Sequence, residues 1–299
     1  MTKILFTGLT GFLGGNFLSF VKDEKDLSVS PLACDVLAAQ GKLTDFSYRF
    51  TKEDLVAEGL GDMDVLVHAG AFSPKNADGM NDIPNNIQNI TNTAHLFNSL
   101  PRAPRKIIYV STISVYDLPR LKVIDENSPA AADSIYGLSK LMSERIALEY
   151  AKAHHAECQI LRLGVMYGNN KAYAGLIPTL IQNVLQGKPV LLYNGGKERK
   201  NFVHVREACR VILKAIREPV VHPVVNVVAP TSLPIRDIAE KIIQISGKSN
   251  IEMQSVEKDI PSFDVIFNTR KLVEAFGAPV MDYDSGLADA YRFFEKELT

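Results

Sequence analysis

The chain has 299 residues, enough for one large hydrophobic core or for two unequal lobes. Hydrophobic residues make up 46% of it and charged residues 22%, the balance of an ordinary globular protein. A net charge of −1 provides no electrostatic attraction to nucleic acid or to an anionic membrane, and no apolar run is long enough to span a bilayer. We therefore expect no nucleic-acid partner and no membrane partner.

The three cysteines, Cys34, Cys158 and Cys209, lie far apart in apolar segments and lack the paired spacing of zinc ligands. Free, buried thiols of this kind are typical of a reducing cytoplasm. The N-terminus leads directly into a strand, so we expect no signal peptide. These features predict a cytoplasmic protein without a metal site.

The first element in chain order is a buried strand that turns through glycines into an apolar helix, in the segment KILFTGLTGFLGG at residues 3–15. Gly8 permits the turn, Gly11 lets a phosphate approach the backbone, and Gly14 lets the helix pack close to the strand. Backbone N–H groups and the positive end of the helix then face an anion. Glycines also serve plain turns, so this stretch alone does not decide the function. The predicted cofactor contacts here are Gly8, Thr10, Gly11, Phe12, Leu13 and Gly14.

Strand-like and helix-like segments alternate through the first half of the chain. The strands are predicted at Ile4–Phe6, Val29–Ala33, Phe46–Phe50, Val65–His68, Lys106–Ser111 and Gln159–Leu163. Notable helices between them are predicted at Asn81–Leu100 and Ser134–Ala153. This alternation of apolar strands with helices predicts a doubly wound parallel sheet that is covered on both faces. Ligands of such sheets bind at the carboxyl ends of the strands, near the switch point.

Asp35 lies 21 residues beyond Gly14, at the end of the second predicted strand. A carboxylate there accepts the ribose hydroxyls of adenosine and repels a 2′-phosphate, which favours NAD over NADP. A solvated turn aspartate is the alternative. Arg49, after the third predicted strand, can pair with a 2′-phosphate, so NADP stays open. Its neighbour Phe50 either stacks on adenine or belongs to the core.

Small residues follow the strand that ends at His68, and they leave room for a flat ring to lie against the backbone. His68 itself is expected to be a core histidine with satisfied hydrogen bonds. The polar segment 72–84 is either a substrate loop or a plain surface loop, and Ser73 is its candidate substrate contact. We assign to the cofactor site the small residues Ala69, Gly70 and Ala71.

Hydroxyl-bearing residues cluster where the strand that begins at Lys106 ends. The next helix carries Tyr136 and Lys140, whose spacing of four places them on one face, one turn apart. A lysine cation beside a tyrosine lowers the pKa of the phenol towards neutrality, so that the tyrosine can exchange a proton. A hydroxyl from Thr112 can hold the reacting oxygen in line. The predicted catalytic residues are Thr112, Tyr136 and Lys140, and the predicted cofactor contacts are Ser111, Tyr136 and Lys140.

Several short segments of the sequence match motifs of a known enzyme family, and they run in the family's order along nearly the whole chain. They are Thr7–Gly14, Val110–Tyr116, Tyr136 with Lys140, Leu161–Arg162, Tyr167–Gly168, Gly187–Pro189, Asn201–Val205 and Val225–Val227. Each segment is a weak signal alone. Together and in this order they resemble the extended short-chain dehydrogenase/reductase superfamily, specifically its NAD-dependent epimerase/dehydratase family. The catalytic threonine, tyrosine and lysine of that family match Thr112, Tyr136 and Lys140.

The resemblance implies a Rossmann domain at residues 1–166 and 202–228 and a smaller, discontinuous α/β substrate lobe at 167–201 and 229–299. It also implies an enzyme with an NAD cofactor, in which hydride passes between a substrate carbon and the nicotinamide. Tyr136 would exchange the hydroxyl proton, Lys140 would lower the pKa of that tyrosine and bind the nicotinamide ribose, and Thr112 would bind the substrate oxygen. In relatives, the helices that correspond to Asn81–Leu100 and Ser134–Ala153 pair at the interface of a homodimer. Such a contact can use the apolar side chains Ile83, Ile87, Ile90, Leu138 and Leu141. The alternative is that these residues only face the sheet.

Two positions after Thr112 depart from relatives. Nucleotide-sugar 4,6-dehydratases carry an Asp-Glu pair where this chain has Ile113 and Ser114, so the acid and base for eliminating water are missing. Fucose-synthase-like reductases carry a cysteine at the position of Ser114. Both chemistries are therefore disfavoured.

Three positions in the second half bear on the substrate. Val165 replaces an asparagine that often helps to bind the nucleotide sugar. Lys200 replaces an arginine that often contacts pyrophosphate, and a lysine does not reproduce a bidentate guanidinium. Arg199, beside it, can substitute by a shift of one residue. The candidate substrate contacts are Ser73, Ser114, Arg199 and Lys200.

Three hypotheses follow. The first is an NAD-dependent 4-epimerase of a nucleotide sugar, which the catalytic set and the two cations favour. The second is an NAD(P)-dependent reductase or dehydrogenase of a smaller carbonyl or hydroxyl compound, which Val165 favours. The third is a regulator that senses dinucleotide without catalysis, which the complete catalytic set disfavours.

Overall fold

The computed structural model describes residues 1–32, 43–44, 47–169, 175–259 and 262–298. Four residues named above, Ala33, Cys34, Asp35 and Phe46, lie outside the described residues. In the part of the chain that is described, no helix is both long and apolar enough to cross a bilayer.

The strands that form the main sheet are parallel throughout, and in the described ranges they number six. Their order across the sheet is β2-β1-β5-β6-β7-β12. The chain order reverses between β1 and β5, which makes the carboxyl ends of these two strands the switch point. The strands of this sheet are β1 (Thr2–Thr7), β2 (Leu27–Pro31), β5 (Val65–His68), β6 (Lys106–Thr112), β7 (Glu157–Leu163) and β12 (Val224–Val227).

Helices cover both faces of the sheet, as the strand–helix alternation predicts. One face packs on α1 (Phe12–Phe20), α7 (Val205–Arg217) and α9 (Arg270–Phe276). The other face packs on α4 (Ile83–Ser99) and α5 (Ile135–Ala153). The α/β Rossmann-type fold is confirmed.

Local sequence explains where the two long helices begin. The side chain of Asp82 accepts a hydrogen bond from the N–H of Asn85 at 3.2 Å. Pro84 lies in the first turn of α4, where backbone N–H groups have no acceptor inside the helix, so the proline costs no helical hydrogen bond. The side chain of Ser134 accepts the N–H of Gly137 at 3.2 Å and so caps α5. Both caps satisfy backbone donors that would otherwise lack a partner inside the helix.

The predicted strand Phe46–Phe50 is the main error in the fold. Among the described residues of that segment, Ser47–Tyr48 (β4) is a strand, and it pairs antiparallel with Leu43–Thr44 (β3) outside the main sheet. Phe50 is fully buried against the side of the sheet that carries Leu66. Its ring therefore belongs to the core and does not stack on adenine. Helix α2 (Lys52–Ala57) starts two residues after Phe50.

The second half of the chain builds a separate apolar cluster, which runs from Tyr167 to Phe294. Helix α9 ends at Gly277, which has φ +71°. The helices not yet named are α3 (Ala77–Met80), α6 (Leu176–Leu185), α8 (Ile235–Ser246) and α10 (Tyr283–Leu298).

The remaining strands form pairs. β8 (Val165–Tyr167) runs parallel to β11 (Phe202–His204), and β9 (Val190–Tyr193) runs parallel to β14 (Met253–Val256). β10 (Arg199–Lys200) pairs antiparallel with β13 (Leu233–Pro234).

Candidate active site

The glycine turn after β1 leaves no room for side chains at two positions. Gly8 has φ +77°, and a Cβ there would lie 2.8 Å from the Cα of Gly70. A Cβ on Gly14 would overlap the carbonyl oxygen of Gly8 and the backbone of Leu9. The N–H of Gly11 donates to the carbonyl oxygen of Gly8 at 3.1 Å, which closes the turn. Steric contact therefore explains the roles that the spacing predicts for Gly8 and Gly14.

The other predicted cofactor residues lie around this turn with different exposure. Thr10 and Gly11 are exposed, Phe12 is half-buried, and Leu13 is buried in the core beneath α1. Leu13 can therefore offer only its backbone to a ligand. The segment after β5 meets the turn at the switch point, and its half-buried members are Ala69, Gly70 and Ala71.

The hydroxyl groups after β6 point in different directions. Ser111 is buried, and its hydroxyl donates to the carboxylate of Glu144 on α5. Thr112 is half-buried and caps a short 3₁₀ turn, because its Oγ1 accepts the N–H of Ser114 at 3.2 Å. Its hydroxyl lies 3.2 Å from Ser114 Oγ, to which it donates. Thr112 and Ser114 thus form one polar corner at the end of the strand.

Helix α5 packs directly against that corner. A Cβ on Gly137 would overlap the carbonyl oxygen of Ser114, so the helix can approach this closely only with glycine there. Tyr136 precedes this contact and is half-buried. The structure therefore brings the helix that carries Tyr136 against the Thr112–Ser114 corner.

Lys140 lies one helical turn from Tyr136 and is only 3% exposed. Its Nζ donates to the carbonyl oxygen of Val110 at 2.7 Å and lies 4.4 Å from the centroid of the Tyr109 ring. Burial lowers the pKa of Lys140 to about 7, and the carboxylate of Glu144 acts in the opposite direction. The amine is thus held in a fixed position, with a pKa near neutrality.

Sequence reasoning missed a buried network beside helix α5. The carboxylate of Glu144 accepts two bonds from Arg162, at 2.9 and 2.7 Å. Arg162 also donates to the hydroxyl of Tyr116 at 2.8 Å, and that hydroxyl donates to Asn226 at 2.9 Å. Bidentate pairing keeps the buried charges compensated. An arginine inside an apolar strand was the available signal.

The residues predicted to contact substrate are less constrained. Ser73 is exposed, and Val165 on β8 is 46% exposed. Arg199 is half-buried and donates from Nη2 to the carbonyl oxygen of Ser232 at 2.8 Å. Lys200 is paired with Glu198 at 2.7 Å and donates to the carbonyl oxygen of Phe263 at 2.9 Å.

Asp35, the predicted ribose contact, lies outside the described residues. In the described ranges, no three His, Cys, Asp or Glu side chains lie close enough together to hold a metal ion.

A model of the NAD dependent epimerase/dehydratase family matches residues 4–228, which is most of the chain. The chain belongs to this family. It is therefore an enzyme of a family that depends on NAD. The resemblance read from the motifs is confirmed.

Individual relatives are distant. A dTDP-glucose 4,6-dehydratase from Streptomyces niveus is 24% identical over 313 aligned positions, which cover 98% of this chain and 92% of the relative. A solved UDP-glucose 4-epimerase from Thermotoga maritima, determined with UDP-glucose, has a TM-score of 0.82 and 19% identity, with full coverage of both chains. A UDP-glucuronic acid 4-epimerase from Bacillus cereus, in complex with UDP-glucuronic acid and NAD, has a TM-score of 0.79 and 23% identity, again with full coverage. These two structures share the fold.

The residues at the switch point fit the NAD that this family uses. Gly8 and Gly14 leave a cradle that a Cβ would fill, and exposed Gly11 N-caps α1, which presents N–H groups to a pyrophosphate. Lys140 supplies a donor beside the strand end of β6. The chain thus offers the features that a dinucleotide requires at the positions where this fold binds one.

Proposed function

We propose that the protein is an NAD-dependent epimerase that inverts a secondary alcohol carbon of a nucleotide sugar. The observation that carries this proposal is the packing of the Tyr136–Lys140 helix against the Thr112–Ser114 corner, with no carboxylate after Thr112. Ile113 is buried, and Ser114 is occupied in the 3₁₀ turn. Elimination of water needs a further acid and base, whereas inversion through a ketone needs only one proton-exchanging group.

Each catalytic residue has a separate task in this mechanism. Tyr136 takes the proton of the substrate hydroxyl and later returns it. Lys140 in its charged form favours the phenolate of Tyr136, and the carbonyl of Val110 and the ring of Tyr109 hold the amine in place. The hydroxyl of Thr112 binds the substrate oxygen. NAD, when bound, supplies a reversible hydride acceptor.

The proposed site therefore comprises the catalytic set and the cofactor contacts named from the sequence, with Asp35 as the ribose contact. On the substrate side we favour Arg199 over Lys200 as the contact for a diphosphate. Among the described residues, the guanidinium of Arg199 makes one bond, to the carbonyl oxygen of Ser232, which leaves further donors, whereas the amine of Lys200 is paired with Glu198. Ser73 and Ser114 complete the proposed substrate contacts.

We assign residues 1–166 and 202–228 to the NAD-binding domain and 167–201 and 229–299 to the substrate lobe. The separate apolar cluster of the second half supports this division. We also place the protein in the cytoplasm, because Cys158 and Cys209 are free thiols, and burial raises the pKa of each to about 12.

A homodimer through α4 and α5 is part of the proposal. Four exposed apolar side chains lie on these two packed helices, which is typical of an interaction surface. Light scattering after chromatography should give twice the chain mass, and the double variant Leu138→Glu with Met142→Glu should give the single mass. The exposed residues are Ile83, Ile87, Leu138 and Met142.

The function is tested by incubating purified protein with UDP-glucose, UDP-glucuronic acid, UDP-N-acetylglucosamine and dTDP-glucose, without added cofactor. Chromatography should detect the 4-epimer of one of them, and Tyr136→Phe should abolish it. Co-purified NAD should be released on denaturation. Absence of both binding and conversion across these sugars rules the proposal out.

A second candidate is a reductase of a smaller carbonyl compound. The exposed apolar Val165 and the paired Lys200 favour it, because both weaken a site for a charged nucleotide. This activity requires net oxidation of NADH or NADPH, followed at 340 nm, with a substrate that lacks a nucleotide. Stoichiometric turnover without nicotinamide consumption excludes it.

A further inference from the structure

A continuous chain of hydrogen bonds starts at the cofactor turn. The N–H of Gly70 donates to Thr7 Oγ1 at 2.8 Å. Thr7 Oγ1 lies 2.7 Å from Nδ1 of His68, and both side chains are buried. Because Gly70 touches Gly8 across the turn, the position of Thr7 fixes the backbone on both sides of the switch point.

The other nitrogen of the same imidazole contacts helix α4. His68 Nε2 lies 2.9 Å from Thr93 Oγ1, and the Thr93 hydroxyl donates to the carbonyl oxygen of Asn89 at 2.7 Å. Because the Thr93 hydroxyl already donates its proton to Asn89, its oxygen must accept a hydrogen bond from the N–H at Nε2 of His68. The ring is therefore the neutral Nε2–H tautomer, and its Nδ1 lone pair accepts the proton of Thr7. Burial lowers the pKa of His68 to about 3, and the charge of Lys140 adds to this effect.

From α4 the chain continues to the catalytic helix. The amide of Asn89 donates to Ser139 Oγ at 3.2 Å, and the hydroxyl of Ser139 donates to the carbonyl oxygen of Tyr136 at 2.8 Å. The same amide group also accepts the N–H of Phe72 at 2.8 Å. Asn89 thus connects the segment after β5 with the turn of α5 that carries Tyr136.

We propose that His68 is a positioning residue that fixes the cofactor turn at Gly8 and Gly70 relative to the helix that carries Tyr136. It contacts neither substrate nor cofactor in this role. A neutral imidazole suits the position because one rigid ring accepts at one end and donates at the other. The side chain thereby joins Thr7 of β1 to Thr93 of α4, and Thr93 leads to Asn89 and α5.

The first test replaces Thr93, which accepts the hydrogen bond from the His68 ring, and measures the binding of NADH. Thr93→Val keeps the shape but loses the hydroxyl, whereas Thr93→Ser keeps the hydroxyl but loses the methyl group. Fluorescence titration should show NADH binding weakened roughly 5- to 50-fold in Thr93→Val and near wild type in Thr93→Ser. Thr91→Val is the matched control, because Thr91 is exposed on the same helix and its hydroxyl donates to the carbonyl oxygen of Gln88 within that helix.

The order of the two Thr93 variants decides between hydrogen bonding and packing. If packing alone matters, the serine variant binds NADH more weakly than the valine variant, which overturns the proposal. Unchanged NADH affinity in Thr93→Val overturns it as well.

The second test measures the tautomer of His68 in the wild-type chain, so its main result still applies if Thr93→Val does not fold. Nitrogen-15 spectra of the wild-type histidines, with His68→Gln to assign the signal, should show His68 as the Nε2–H tautomer from pH 5 to 9. In Thr93→Val the signal should move towards the Nδ1–H tautomer. An Nδ1–H tautomer in the wild type, or protonation near pH 6.5, contradicts the proposed arrangement.

Discussion

The carboxyl ends of β1, β5 and β6 differ from the region of β8 and β10 in how tightly their side chains are constrained. On the first side, Gly8 and Gly14 admit no Cβ, and Lys140 is 3% exposed with its amine bonded to a backbone carbonyl. On the second side, Val165 is 46% exposed and Arg199 keeps guanidinium donors beyond its one bond to a carbonyl.

This difference suggests that redox chemistry and substrate choice are encoded separately. Changing the first side disturbs backbone packing and buried hydrogen bonds, so few substitutions are tolerated there. Changing the second side alters half-exposed side chains and leaves the core intact. Substitutions on the two sides should therefore affect different measured quantities.

The largest effect is expected at Tyr136. Tyr136→Phe removes the hydroxyl that we propose exchanges the proton and keeps the ring, so kcat should fall roughly 10²- to 10⁴-fold. NADH affinity and the melting temperature should stay close to wild type. Retention of more than a tenth of the wild-type kcat would show that another group exchanges the proton.

A smaller effect is expected from a methyl group in the glycine turn. Gly14→Ala places a Cβ on the carbonyl of Gly8 and should weaken NADH binding roughly 10- to 100-fold through a displaced turn. Gly15→Ala is the matched control, since its Cβ would meet nothing closer than 3.9 Å. The control should bind NADH normally and be slightly more stable, because alanine favours helix over glycine. Equal NADH affinity in the two variants would contradict the claim that the close packing at Gly14 shapes the site for NAD.

On the substrate side, Arg199→Gln should weaken UDP binding roughly fivefold to twentyfold, the scale of one lost charged hydrogen bond. Lys200→Gln should change UDP affinity less, because Glu198 already pairs with the amine. Calorimetry on the two variants checks the order. A larger loss from Lys200→Gln would assign the phosphate contact to lysine instead.

The last prediction concerns stability at low pH and leaves ligand binding aside. Burial lowers the pKa of His68 to about 3 and that of His204 to about 4. Below about pH 6.5 the unfolded chain binds protons that the folded chain rejects, so the free energy of unfolding falls as pH falls. Each histidine contributes about 1.4 kcal/mol per pH unit between its two pKa values. Urea unfolding between pH 4 and 7 should show a shallower slope in His68→Gln than in wild type; an equal slope would mean that His68 is charged in the folded protein.

The site could be predicted where its signal is local. The glycine turn, the strand ends and the spacing of Tyr136 and Lys140 depend on neighbouring residues, and the structure places them at one edge of the sheet. The Glu144–Arg162 pair could not be predicted, because it requires the packing of helix α5 on strand β7.

The errors have a similar origin. Alternating aromatic residues at 46–50 are typical of a strand of the main sheet. In the structure, Ser47–Tyr48 pairs with Leu43–Thr44 instead, and Phe50 packs in the core. The partners of Arg199 and Lys200 also come from distant segments, at Ser232 and Phe263. No local pattern predicts such contacts.

The central claim is that a hydride leaves and returns to the same substrate carbon while Tyr136 handles only the oxygen-bound proton. Epimerisation of the accepted nucleotide sugar in D₂O, followed by mass spectrometry and proton NMR, tests it most directly. The product should carry no deuterium at the inverted carbon. Incorporation of one deuterium there would show that the carbon exchanges a proton with solvent, and would contradict the mechanism.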